Sequence, residues 1–258
     1  YNNIVVERQE LKRKKCAELS GLPESSEILM GIYAGVLELA DRHVWGACAV
    51  LRVGSSPTIR TKFVLGGNIM KEEFLLLLQS VQREGMDKLL TYIEKTDFFK
   101  APASTRFHGN YEGGLLEHSL NVYHLLKEKL SHKPYSDIVK ASDETIILIT
   151  LLHDFCKANY YTVDYRNRKN EDGVWVKEPY YTVNDTIPYG HGEKSVMMIS
   201  EFIKLTPEER YAIRWHMGFT EPKELYNTIS TVYERYPLAL ALHEADLEAS
   251  YILESRKK

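Results

Sequence analysis

The chain has 258 residues, 44% hydrophobic and 11% aromatic, enough apolar mass for one large packed domain or two small ones. Its 33 basic residues nearly balance 36 acidic ones, so no global field draws it toward nucleic acid or a membrane surface. The three cysteines, Cys16, Cys48 and Cys156, show no CxxC spacing and argue against both a disulfide framework and a structural zinc site. No apolar run reaches the roughly 18 to 20 residues of a membrane span, and Leu11–Lys15 is followed by polar residues instead of a signal-peptide core. The expectation is a cytoplasmic protein with no membrane association and no inferable protein partner.

Residues 1–69 lack sustained periodicity. Within them, residues 35–61 resemble a translated transfer-RNA gene. "VGSSP" at Val53–Pro57 back-translates to GTG GGT TCG AGT CCC, which contains the GGTTCGA element of a T-arm, and "VLELAD" at Val36–Asp41 fits a D-arm. "LGGNIM" at Leu65–Met70 is encodable as TTA GGA GGT AAT ATT ATG, a ribosome-binding sequence before a start codon. Residues 1–69 are therefore expected to be spurious upstream translation with no assigned domain, and 70–258 the folded domain. The alternative is a small N-terminal domain with an amphipathic helix over Ser25–Asp41.

From Met70 to Pro102 the apolar positions Phe74, Leu77, Leu78 and Val81, then Leu89, Leu90 and Ile93, predict two helices broken near Gly85. A glycine-bearing loop leads into a helix over Leu115–Leu130, in which His118 shares the apolar face with Leu115, Val122, Leu125 and Leu126. Ser142 reads as the N-cap of the next helix, which is almost wholly apolar and ends in His153 and Asp154. A carboxylate there is a puzzle, because an unpaired buried charge costs several kcal/mol unless something compensates it.

Residues 160–185 alternate β-branched and aromatic residues around Asp172-Gly173, the pattern of an inserted β-hairpin. It offers Tyr160, Tyr161, Tyr165, Trp175, Tyr180 and Tyr181 together with Arg166, Arg168 and Lys169. These groups suit base stacking and phosphate contact, and equally suit packing of the ribbon onto the helices. A helix is predicted over His191–Leu205. Another is predicted over Thr206–Gly218, with Thr206 as N-cap, Pro207 at its first position and Glu209 completing a capping box. The last, Pro237–Ser255, carries Asp246 on a face with Ala239, Leu242 and Ala249. The fold class is thus all-α with one hairpin.

His118, His153, Asp154, His191, His216 and Asp246 stand on apolar faces or at helix starts, each on a different helix except the adjacent pair. Imidazoles and carboxylates suit borderline or hard divalent metals, and the missing thiolates argue against structural zinc. In this order, with "GGLLEHSLNV", "LLHDFCK" and "LHEADLEASY", residues 70–258 resemble the HD phosphohydrolase superfamily. The first of these motifs is similar to HD domains of bacterial 3′-to-5′ exoribonucleases and mobile-element proteins.

That resemblance implies an HD-domain helical bundle in which His118, His153, Asp154 and Asp246 bind one metal, and Asp154 bridges to a second held by His191 and His216. One or two divalent ions are implied, with manganese, iron, magnesium, zinc, nickel and cobalt not distinguished. Two metals sharing a water would lower its pKa to about 7 and aim it at phosphorus. Asp154 and Lys157 are then the catalytic residues. Lys157, Arg166, Arg168 and His108 are the substrate contacts, with Arg106 beside them, and the substrate is a phosphate ester of a nucleotide or oligonucleotide. His124, His132 and His243 have no place in the pattern and read as structural or surface residues. The rival implications are a di-iron oxygenase on the same fold and a non-catalytic nucleotide or nucleic-acid binding module.

Overall fold

The structure is a computed structural model that describes residues 58–255, with side chains from residue 68. The segments singled out over residues 25–41 and at "VGSSP" lie outside the described residues. Helix α1, Thr58–Gln79, and helix α2, Met86–Lys95, form the expected pair, separated at Gly85, whose φ of 91° is left-handed. Helix α1 runs through Met70 without a break.

Helix α3, Gly114–Ser131, is followed by one helical turn, α4, Tyr135–Ile138, and then by α5, Asp143–Leu152. Ser142 caps α5, its hydroxyl accepting from the Thr145 amide at 3.2 Å. Every residue from Thr145 to Leu152 is buried, as befits a helix that is apolar all round, and α5 packs against α1, α3 and α7 as the central element of the bundle. It ends one residue before His153, and a 3₁₀ turn over Phe155–Lys157 follows.

The hairpin forms as expected. Strand β1, Tyr161–Lys169, pairs antiparallel with β2, Trp175–Val183, in a register that sets Tyr161 opposite Val183 and Lys169 opposite Trp175. Gly173 adopts a φ of 76° in the connecting loop, and Asn170 closes that loop by accepting from the Val174 amide. The foot of the ribbon is tied down twice. The buried Lys194 ammonium donates to Asp185 at 2.6 Å, and the Tyr161 hydroxyl donates to the Ala103 carbonyl at 3.3 Å.

Helices α6, His191–Ser200, α7, Pro207–Trp215, α8, Tyr226–Arg235, and α9, Pro237–Glu248, complete the bundle. Three differ from expectation. Helix α6 stops at Ser200, because the amides of Phe202 and Ile203 both turn back to the Ile199 carbonyl. Helix α7 ends at Trp215, short of Gly218, with His216 as its C-cap. Helix α9 yields at Ala249 to a π-helical turn, Ala249–Leu253, instead of continuing to Ser255. Helix α8 is additional; its buried stripe is only Ile229, Val232 and Tyr233, too narrow to stand out in the sequence.

The capping box of α7 is present as predicted, and Glu209 does more than cap. Fully buried, its carboxylate accepts from both terminal nitrogens of Arg83, at 2.7 and 2.6 Å, and from the Thr145 hydroxyl at 2.8 Å, joining the α1–α2 turn to α5 and α7. Burial pulls this carboxyl up, but Arg83, Thr206 and Thr145 outweigh it and hold it below the ordinary value of 4.5. Its stabilisation is therefore complete above that pH and is lost as pH falls below it. Glu209→Gln, which removes the buried charge facing Arg83 and leaves that cation only Glu144 at 3.6 Å and the Lys204 carbonyl, is expected to cost about 2 kcal/mol in urea denaturation at pH 7. A loss under about 1 kcal/mol contradicts the assignment.

Candidate metal centre

Six of the predicted side chains converge. His118 comes from α3, His153 and Asp154 follow the end of α5, His191 opens α6, His216 caps α7 and Asp246 lies on α9. Two glycines allow this approach. A Cβ on Gly192 would fall 2.3 Å from the Arg214 carbonyl oxygen, so only glycine lets α6 and α7 bring His191 and His216 together. A Cβ on Gly114 would fall 2.0 Å from the Gly109 carbonyl oxygen, where the loop carrying His108 folds over the start of α3.

The imidazoles are oriented by their backs. His153 Nδ1 donates to the Thr150 carbonyl at 2.7 Å, and His216 Nδ1 donates to the Ile213 carbonyl at 2.7 Å. Both rings sit at helix C-caps and use carbonyls that a helix end leaves without a partner. Because a carbonyl oxygen only accepts, the proton is on Nδ1 in each, and each Nε2 turns a lone pair inward. His118 Nδ1 lies 3.1 Å from Glu254 Oε1, which also accepts from the Asn121 amide at 3.0 Å. His191 Nδ1 lies 3.3 Å from the Cys156 sulfur.

The inward atoms meet around Asp154. Its Oδ1 is 2.8 Å from His191 Nε2 and 3.6 Å from His216 Nε2, and its Oδ2 is 3.7 Å from His118 Nε2 and 3.6 Å from His153 Nε2. His118 Nε2 is 3.2 Å from both His153 Nε2 and Asp246 Oδ1. Asp154 Oδ1, His191 Nε2 and His216 Nε2 are buried, and none has an aligned hydrogen-bond partner. Buried polar atoms are seldom left this way, and three in one spot fit a cation that takes their lone pairs. His118, His153 and Asp154 form one group with metal-ligand spacing; His153, His216 and Asp246 form another; Asp154, Cys156 and His191 form a third.

Electrostatics point the same way. Burial pushes the His153 imidazole down to about 3, so it is neutral. Burial also disfavours the His118 cation, but Asp246 and Glu254 outweigh it and raise that ring to about 10. That ring faces two carboxylates, Asp246 Oδ1 at 3.2 Å and Glu254 Oε1 at 3.1 Å. Asp154, pulled up by burial, is held well below the ordinary carboxylate range by Lys157 and the histidines. Lys157 donates to Asp154 Oδ2 at 2.6 Å, inside the centre and not on the surface.

The remaining predicted contacts divide. His108 belongs to the centre's rim: its ring lies 4.9 Å from that of His118, and its buried Nε2 has no hydrogen-bond partner. Arg166 and Arg168 do not enter the centre; both donate to Glu178 across the ribbon at 2.9 Å. His124 is exposed and lies 3.0 Å from Glu73, whereas His243 donates Nδ1–H to the His216 carbonyl at 2.6 Å and buttresses that turn. Sequence reasoning missed Glu254 and Asn121. The eight-residue step from Asp246 to Glu254 was the available signal, since it keeps two carboxylates on one helical face. Glu254→Ala is expected to weaken manganese binding 10- to 100-fold by titration calorimetry, with the far-ultraviolet dichroism unchanged. Unaltered affinity contradicts the supporting role of Glu254.

A family model described as HD domain matches residues 115–251, more than half of the chain. No curated protein and no solved structure matched it. With the His and Asp side chains of its motifs gathered at one buried point, the chain belongs to the HD-domain superfamily of metal-dependent phosphohydrolases.

Proposed function

We propose that the protein hydrolyses a phosphate ester of a nucleotide or an oligonucleotide, with His118, His153, Asp154 and Asp246 holding one divalent metal and Asp154, His191 and His216 a second. The observation that carries this reading is the convergence of bare, buried acceptor atoms on Asp154, with the Lys157 ammonium beside them. Asp154 approaches the Nε2 atoms of all four histidines of the cluster, so it would be within reach of a metal held by either pair. A divalent metal in this setting supplies Lewis acidity toward phosphoryl oxygens and lowers the pKa of a coordinated water to about 7.

The chain's own residues contribute the rest. Thr150, Ile213 and Glu254 lock the imidazoles in the orientation that turns Nε2 inward, so little reorganisation is needed on binding. Lys157 keeps its proton because Asp154 outweighs the cost of burial, and its cation is placed to meet a phosphoryl oxygen next to the carboxylate. Burial of His153, Asp154 and His216 keeps bulk water from screening these charges.

The test is product release with manganese from mononucleotides, dinucleotides and short RNA. Phosphate or nucleotide release is expected with the native chain and none above background with Asp154→Ala, and Lys157→Ala is expected to lower kcat about 100-fold. Full activity in Asp154→Ala rejects the mechanism. Iron-dependent oxygen uptake without phosphate release favours the oxygenase reading.

A further inference from the structure

The register of the hairpin sorts its side chains by face. Cross-strand partners share a face and neighbours along a strand alternate. One face carries Asp164, Arg166, Arg168 and Glu178, which neutralise one another: both arginines bond to Glu178. The opposite face carries Val163, Tyr165, Trp175 and Tyr181 with Lys169 and Lys177, and no carboxylate among its strand residues. Tyr165 is 63% exposed and Trp175 is 67% exposed. The Lys169 ammonium lies 5.3 Å from the Trp175 ring centre, on the same face.

At the foot of the ribbon both faces border a cleft of about 1180 Å³, which Val163 and Tyr181 line from the aromatic face and Tyr180 and the paired Arg166 and Glu178 line from the other. Its other wall is the loop bearing Arg106, Phe107 and Asn110, and Phe107 is 82% exposed. That same loop turns His108 toward His118, and Tyr161, the first residue of β1, donates to the Ala103 carbonyl of the segment leading into it and feels the charge of Lys157. The aromatic face, the cleft and the metal centre are therefore consecutive.

We propose that the aromatic face of the hairpin, with Arg106 and Phe107 at its foot, is a track for a single-stranded oligonucleotide whose end enters the metal centre. The chemistry selects this ligand: flat, exposed rings for unpaired bases, interleaved with cations for backbone phosphates, on a strand face without carboxylates, while the one carboxylate lining the cleft, Glu178, is paired with Arg166 and Arg168. Size selects it over a mononucleotide. A nine-residue strand spans about 30 Å, and the cleft alone exceeds the roughly 300 to 1,000 Å³ of a small-ligand site. The inference deepens the proposed function and rests on it for the chemistry at the chain's end, whereas binding along the ribbon stands apart.

The probe is a fluorescein-labelled oligothymidylate of about twelve nucleotides with phosphorothioate linkages, followed by anisotropy with the full-length manganese-loaded protein. Its affinity is expected to exceed that of thymidine monophosphate, to fall about tenfold in Trp175→Ala and to fall similarly in Tyr165→Ala, both solvent-exposed substitutions. The logarithmic salt slope is expected near −2 for three cations, dropping to about −0.7 when Lys169 and Lys177 are both replaced by Ala. Hydrolysis of bis(4-nitrophenyl) phosphate, which cannot reach the ribbon, is expected to be unchanged in all these variants. Affinity indifferent to Trp175, or equal affinity for the mononucleotide, overturns the track. Trp175-dependent binding with no hydrolysis of bis(4-nitrophenyl) phosphate or of an unmodified oligothymidylate supports the track and instead defeats the phosphohydrolase reading.

Discussion

Everything in the bundle is arranged around a shortage of protons at one buried point. His153 and His216 have committed their Nδ1 hydrogens to main-chain carbonyls, His118 has committed its own to Glu254, and the remaining nitrogens face Asp154 and Asp246. Lone pairs and carboxylates so placed repel one another unless a positive charge sits among them. The Lys157 ammonium supplies one such charge, 2.6 Å from Asp154 Oδ2. A divalent ion would answer the same demand, and Asp154, His191 and His216 would hold it through buried atoms that have no aligned hydrogen-bond partner.

The helices serve this point through their ends as much as their faces. The central helix α5 is buried and uncharged from Thr145 to Leu152, and the His-Asp pair lies where it stops. Helix α7 ends the same way at His216, and α6 begins at His191. Helix termini leave main-chain groups unsatisfied, and at the ends of α5 and α7 the imidazoles of His153 and His216 satisfy them while turning their other nitrogen to the centre. Only His118 and Asp246 project from helix interiors. A buried carboxylate after an apolar helix, paradoxical in isolation, follows from this geometry.

Much of this was legible in the sequence, and the gaps have physical causes. Helical periodicity placed His118 and Asp246 on inward faces, and the order of His and Asp residues identified the constellation. Periodicity treats a helix as continuous, however, so it carried α7 past His216 and α9 past Ala249, hiding the caps and the π-helical turn that delivers Glu254. Arg166 and Arg168 looked available for phosphate because their charge was counted without their register. Once Arg166 is set opposite Glu178, both guanidinium groups are paired on the face away from Tyr165 and Trp175. Composition identified the hairpin's aromatics, but only the strand pairing shows which of them share a face with lysines.

The central claim is that the convergence on Asp154 is a metal centre, and elemental analysis of the purified full-length protein tests it most directly. The account predicts one or two equivalents of a divalent transition metal per chain, retained through gel filtration in the native protein and lost in His153→Ala. A native protein that carries no metal and takes up none when supplied with manganese, iron or zinc would contradict it.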